Sequence, residues 1–156
     1  MISIRRSTAS DPAFSALVAE LDADLRARYG AMQDQYDGFN RLPADTPVVI
    51  AEEDGRPLGC GSYKPFERQA GRTGEKAIEL KRMFVTPAAR RRGVARAIVA
   101  ELETWARELG VAAVVLETGT LQHEAIALYE RLGFTRIPAF PPYVDMPMSV
   151  CMRKPL

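Results

Sequence analysis

The chain has 156 residues, 47% hydrophobic and 26% charged, with 21 basic and 20 acidic side chains and a formal net charge of +1. That size and balance point to one globular domain over 1–156 with a core that needs no staples, and they argue against a general nucleic-acid binder, which is strongly basic. Two cysteines without CxxC spacing and one histidine exclude a structural zinc centre, and no apolar run nears the roughly 18 residues of a membrane span.

The first residues, MISIRRSTASDPAF, lack the apolar core of a signal peptide, so the cytosol, with Cys60 and Cys151 as free thiols, is the expected location. Residues 2–6 alternate apolar and polar, as a half-buried strand does. Ser10-Asp11-Pro12 then supplies a cap followed by a proline near the first helical position. Phe14, Leu17, Val18, Leu21 and Leu25 follow at helical spacing, predicting an amphipathic helix over 12–29 that stops at Gly30. Residues 31–46 read as a loop with a short helix. PVVIAEE (47–53) and LGCGSYKPF (58–66) read as a hairpin turning at Asp54-Gly55. Residues 67–74 form a second turn before a longer strand at 76–85.

A helix over 93–109 carries a stripe of Val94, Ile98, Leu102, Trp105 and Leu109, with Trp105 assigned to core packing. VAAVVLET (111–118) is the continuous apolar run of a strand buried on both faces. A second helix at 122–132 leads to a strand at 134–137, and the proline-rich tail closes with a strand at 147–153. Strands alternating with helices after residue 76 require a parallel crossover in a mixed sheet.

Chemistry concentrates at VTPAARRRGVARAIVAEL (85–102). Pro87 ends the strand, and Arg90–Ala95 form a tight turn into a helix. The first helical turn leaves about four N–H groups without intrahelical partners, which with the helix dipole make an anion seat. Gly93 lets a ligand approach the backbone, and Ala95 keeps that approach open. Arg90, Arg91 and Arg92 bring charge that a phosphate uses. Without an anion each opposes the dipole, at a cost of roughly 0.3–1 kcal/mol.

Arg90-x-x-Gly93-x-Ala95 after ELKRMFV resembles the pyrophosphate loop of the GCN5-related N-acetyltransferases (GNAT superfamily), and EAIALYERLGF (124–134) resembles that family's second signature. The resemblance implies an α/β fold of mixed α+β type, a single domain whose mixed central sheet is flanked by helices. It also implies acetyl-CoA as acetyl donor, no metal, and direct transfer to an amine. Met83, Phe84 and Val85 are then expected on pantetheine, with the Phe84 or Val85 amide as oxyanion donor. Arg90, Arg91, Arg92, Gly93, Val94 and Ala95 are expected on pyrophosphate, with Arg96 nearby. Gln122 stands where the family often has Asn, on the cofactor arm. Tyr129 is the implied proton donor to the departing sulfur.

Glu79 stands where histone-acetylating relatives carry a catalytic base; the alternative is an exposed strand carboxylate paired with Lys81. His123 reads as a surface residue, and Glu52-Glu53-Asp54 as a solvated hairpin end. The loop 138–147, with Phe140, Tyr143 and Asp145, either shapes substrate choice or is a rigid connector. A small-molecule amine is the expected acceptor. A protein lysine or N-terminus, or a non-catalytic acyl-CoA-binding or sensing module, are the alternatives. Neither nucleic acid nor membrane is an expected partner, while a homodimer is common among similar proteins.

Overall fold

A computed structural model describes residues 1–66 and 75–156, so the turn expected at 67–74 lies outside the described residues. Along the chain run β1 (Ser3–Thr8), α1 (Pro12–Tyr29), the single-turn α2 (Asp34–Asp37) between two 3-10 turns, β2 (Pro47–Glu53) and β3 (Arg56–Pro65). They are followed by β4 (Ala77–Val85), α3 (Val94–Glu108), β5 (Ala113–Gly119), α4 (His123–Arg131), β6 (Thr135–Ile137) and β7 (Ser149–Pro155). The strands pair in the order β1-β2-β3-β4-β5-β7-β6, a seven-stranded mixed sheet. β4 and β5 run parallel, as the alternation of strands and helices demands. Contacts divide the chain into two units, Met1–Tyr63 with Lys81–Leu102, and Lys64–Leu80 with Glu103–Leu156.

In the first unit Asp11 caps α1 and Pro12 takes its first position, where the missing N–H is no loss. Asp11 Oδ1 accepts from the Ala13 N–H at 2.9 Å, while Oδ2 accepts from Arg5 at 2.6 Å and from Ser7 at 2.7 Å. Phe14, Leu17, Leu21 and Leu25 form one buried face, which joins Val48, Ile50, Cys60 and Phe84 in a single cluster. Each such aliphatic side chain contributes roughly 1.5–3 kcal/mol on burial. The β2–β3 hairpin turns on Asp54 and Gly55, both at positive φ (51° and 75°), the signature of a type I′ turn.

In the second unit β5 pairs with β4 over Ala113–Leu116 and with β7 along all its residues. Val114, Val115 and Leu116 are buried on both sides accordingly. The tail between β6 and β7 packs as core: Phe140 and Tyr143 are each 1% exposed, and the Phe140 ring meets Phe66 edge-on at 4.8 Å. Asp145 is exposed. The loop's aromatic residues are therefore part of the core of this unit.

Two sequence expectations change along α3. Leu109 is 49% exposed, one residue past the helix end. Trp105 is half-buried, not core. The buried arc is rotated toward Val99, Glu103 and Ala106, and the Glu103 carboxylate is paired there with Lys154 at 2.6 Å.

The hydrogen bond from Arg5, with those from Ser7 and the helix amide, holds the Asp11 carboxyl down at about 2 against an ordinary 3.8. A lowered carboxylate stabilises the fold above its unfolded value, and that contribution is lost as pH falls. Asp11→Ala should cost about 1 kcal/mol near neutrality, the usual value of a cap. Urea denaturation at stepped pH should show variant and parent converging between pH 3.8 and about 2.

Candidate functional site

Pro87–Ala89 form a single 3-10 turn that ends β4 and carries the chain toward α3. Arg91 and Gly93 both adopt left-handed backbone, at φ 63° and 78°. Successive residues of alternating hand turn their N–H groups into one concavity, an anion nest. Gly93 is also the residue whose carbonyl accepts the first helical bond, from the Ala97 N–H at 3.0 Å. A glycine there supplies no side-chain acceptor, so the amides of the first turn stay available to a ligand. A Cβ built on Gly93 meets nothing within 4 Å, so the space over the loop is open.

The three arginines divide. Arg90 Nε donates to the Val85 carbonyl at 3.2 Å, tying the loop to the end of β4. Arg92 Nη2 donates to both carboxylate oxygens of Glu53 at 2.9 Å, and this partner lowers the Glu53 carboxyl below its ordinary value. The hairpin end is thus engaged with the loop and is more than a solvated turn; Glu52 likewise pairs with Arg5. Arg91 is exposed. Val94 is 2% exposed, so only its main chain can serve a ligand.

The strand that precedes the loop has a feature the sequence hides. Arg82 sits at φ 57° in the middle of β4, a conformation an arginine adopts only when its surroundings over-determine it. Its side chain is 5% exposed and pairs with Asp22 of α1. Two residues on, the Phe84 carbonyl would lie 2.7 Å from a Cβ at Gly59. Only a glycine at 59 lets the main chain of Met83, Phe84 and Val85 run this close to β3. Arg82, Asp22 and Gly59 were missed from the sequence, because each acts through contacts distant along the chain.

The other expected site residues lie in the second unit. Glu79 is 4% exposed, with Oε1 at 3.9 Å from Lys64 Nζ. The alternative of an exposed carboxylate is therefore corrected: this part of β4 is covered, and the cation recorded on Glu79 is Lys64. Tyr129, on α4, is 5% exposed, and its ring packs edge-on against Phe134 at 5.6 Å. Burial, helped by the charge of Glu117, pushes its phenol well above the usual tyrosine range, so it holds its proton as a donor must. The Gln122 Oε1 accepts from the Gly119 N–H at 2.9 Å. His123 is exposed, as expected of a surface residue. Cys60 and Cys151 are both free and buried, and burial raises the Cys60 thiol to about 12. Among the described residues no group of three or more His, Cys, Asp or Glu side chains could hold a metal ion. No helix among them is long and apolar enough to cross a membrane.

A mixed sheet with a glycine-entered, arginine-rich loop after its central strand defines an acyl-CoA-dependent N-acyltransferase. The model of the acetyltransferase (GNAT) family matches residues 11–134, and the chain belongs to that family: it is an acetyl-CoA-dependent N-acetyltransferase. It is 34% identical over 156 residues to the IAA acetyltransferase of Azospirillum brasilense, covering 99% of this chain and 98% of that protein. Among solved structures, a Klebsiella pneumoniae protein assigned as an acyl-CoA N-acyltransferase superposes with a TM-score of 0.78 at 32% identity, covering 100% and 98% of the two chains. A GNAT acetyltransferase of Elizabethkingia anophelis, solved with acetyl-CoA bound, shares the fold at a TM-score of 0.67 and 17% identity over 99% and 98% of the chains.

The backbone at Gly93 gives a direct check. An L side chain at φ 78° costs about 1–2 kcal/mol, and open space around the Cβ makes that cost conformational, with no steric part. Gly93→Ala should therefore lower unfolding free energy by about 1 kcal/mol in urea and weaken the stabilisation that acetyl-CoA confers. Parental stability together with parental acetyl-CoA response would mean that the left-handed entrance is not used.

Proposed function

We propose that this acetyltransferase moves acetyl from acetyl-CoA to a primary amine of a small molecule by direct attack. Acetyl-CoA, when bound, supplies the acyl carbon and a thiolate leaving group. The pyrophosphate rests on the nest and helix entrance formed by Arg90, Arg91, Arg92, Gly93, Val94 and Ala95. The main chain of Met83, Phe84 and Val85 receives the pantetheine arm, and the Phe84 or Val85 amide serves as donor to the developing oxyanion. The observation that carries this reading is the paired left-handed backbone at Arg91 and Gly93.

Glu79 accepts the proton the amine must lose before it attacks. Its burial supports the assignment, since an exposed carboxylate would leave that proton to water. Tyr129 returns a proton to the departing sulfur from a phenol that its surroundings keep protonated. A small-molecule acceptor is supported by the end-to-end similarity to the IAA acetyltransferase. A cytosolic site of action is supported by two free cysteines.

Four experiments test this reading, one on the cofactor, one on the acceptor and one on each catalytic residue. Acetyl-CoA at a hundredfold excess over Kd should stabilise the protein by about 2.7 kcal/mol; no shift at millimolar acetyl-CoA would remove the cofactor assignment. In a thiol-release assay against amino acids, polyamines, aminoglycosides and peptides, turnover confined to peptides would replace the small molecule by a protein acceptor. Tyr129→Phe should lower kcat about a hundredfold with cofactor binding intact. Because the phenol is shifted upward from 10, activity lost through its deprotonation should appear only above pH 10. Glu79→Gln should lower kcat about a hundredfold with acetyl-CoA binding intact, and an unchanged kcat would assign the proton to another acceptor.

A further inference from the structure

Gln122 does something other than what its place in the chain suggests. It occupies the cap position of α4, yet its side chain makes no capping bond to the helix. The carboxamide turns back toward the strand instead. Its Oε1 accepts from the Gly119 N–H at 2.9 Å, and the main-chain N–H of Gln122 donates to the Gly119 carbonyl at 3.0 Å. One residue thus grips both main-chain groups of the last residue of β5. Its carbonyl meanwhile accepts the first bond of α4, from the Ile126 N–H at 3.1 Å. The turn is fixed from a second side, where the Thr120 N–H donates to the Met148 carbonyl at 2.9 Å.

Residue 129 lies seven positions after 122, close to two turns of helix, so the two residues share one face about 10 Å apart along the axis. Glu117 and Gly119 likewise share one face of β5, two positions apart. Gln122 meets Gly119 at the turn, and Tyr129 feels the charge of Glu117 farther back along the strand. At its other end Tyr129 is anchored by its carbonyl, which accepts from the Leu132 and Phe134 N–H groups at 3.1 and 3.0 Å. The hydrogen bond of Gln122 to Gly119 thus ties the start of α4 to the end of β5.

We infer that Gln122 is a positioning residue: through its carboxamide oxygen on the Gly119 N–H it sets the register of α4 on β5 and so places the Tyr129 phenol for proton transfer. The inference rests on the reading of Tyr129 as the acid. It differs from a place for Gln122 on the cofactor arm, because the atom used is the oxygen and its partner is the protein's own main chain. The amide nitrogen plays no part in the contact.

That distinction makes the test specific. Gln122→Glu keeps an oxygen for the Gly119 N–H and loses the amide donor, whereas Gln122→Leu keeps the bulk and loses both. We expect the Leu variant to lose about tenfold in kcat, the scale of a sub-ångström misplacement, with its Kd for acetyl-CoA within about twofold of the parent by calorimetry. The Glu variant should retain parental kcat and parental Kd. In a Tyr129→Phe background the Leu substitution should cause no further loss, since its effect passes through the phenol.

A weakened Kd for acetyl-CoA in the Glu variant, with kcat at saturation preserved, would overturn the inference and return Gln122 to the cofactor arm. A lower melting temperature in the Leu variant with parental kcat would overturn it in favour of a purely structural turn. Full additivity with Tyr129→Phe would overturn it as well. If Tyr129→Phe alone kept parental kcat, the acid assignment itself would fail, and that result is visible without any Gln122 variant.

Discussion

A helix entrance binds an external anion only if the protein declines to satisfy that entrance itself. The three longer helices of this chain handle the constraint in three ways. α1 is closed by Asp11, whose carboxylate bonds the Ala13 amide and is in turn held by Arg5 and Ser7. α4 begins at Gln122, whose side chain reaches back to β5 and makes no cap. α3 alone begins at a glycine, with no side chain to bond its amides and three arginines ahead of it. Those cations lie ahead of the positive end of the helix dipole, a destabilising arrangement that a bound anion would relieve.

The surrounding structure bears part of that tension. Arg92 is neutralised in a two-point pair with Glu53, and Arg90 is tied to the Val85 carbonyl. What remains uncommitted is main chain, held in its left-handed path at Arg91 and Gly93. Electrostatic recognition here rests on fixed dipoles more than on mobile side chains. Fixed dipoles lose no side-chain entropy when a ligand arrives. The strand that feeds the loop is held in a comparable way, by the Arg82–Asp22 pair and by Gly59 beneath the Phe84 carbonyl.

Much of this was readable from sequence where the signals were local. Asp11-Pro12 and Gly30 bracket α1 as expected, Asp54-Gly55 makes the hairpin, and Pro87 ends β4. The glycine entrance of α3 was legible for the same reason, since Gly93 and the helix that follows it are contiguous. Illegible were the features that depend on distant contacts. Nothing about an arginine at 82 announces positive φ, and its ion-pair partner Asp22 lies far away along the chain on α1. Strand alternation could not say whether Glu79 faced water or the interior, because this part of β4 is covered. Trp105 and Leu109 fit a helical stripe, but the buried arc lies toward Val99, Glu103 and Ala106, where Glu103 finds a partner in Lys154, distant along the chain.

The last strand of the pairing order has a consequence for how copies of this chain can meet. β6 spans only Thr135–Ile137, and it is paired on one side by β7. A strand of three residues offers an approaching chain too few main-chain groups for a stable added ladder, which is how many sheets blunt an open edge. Continuation of the sheet from one copy into the next is thereby discouraged at this border. A lasting association at this border would have to be built from side-chain surfaces, whose specificity can be tuned residue by residue.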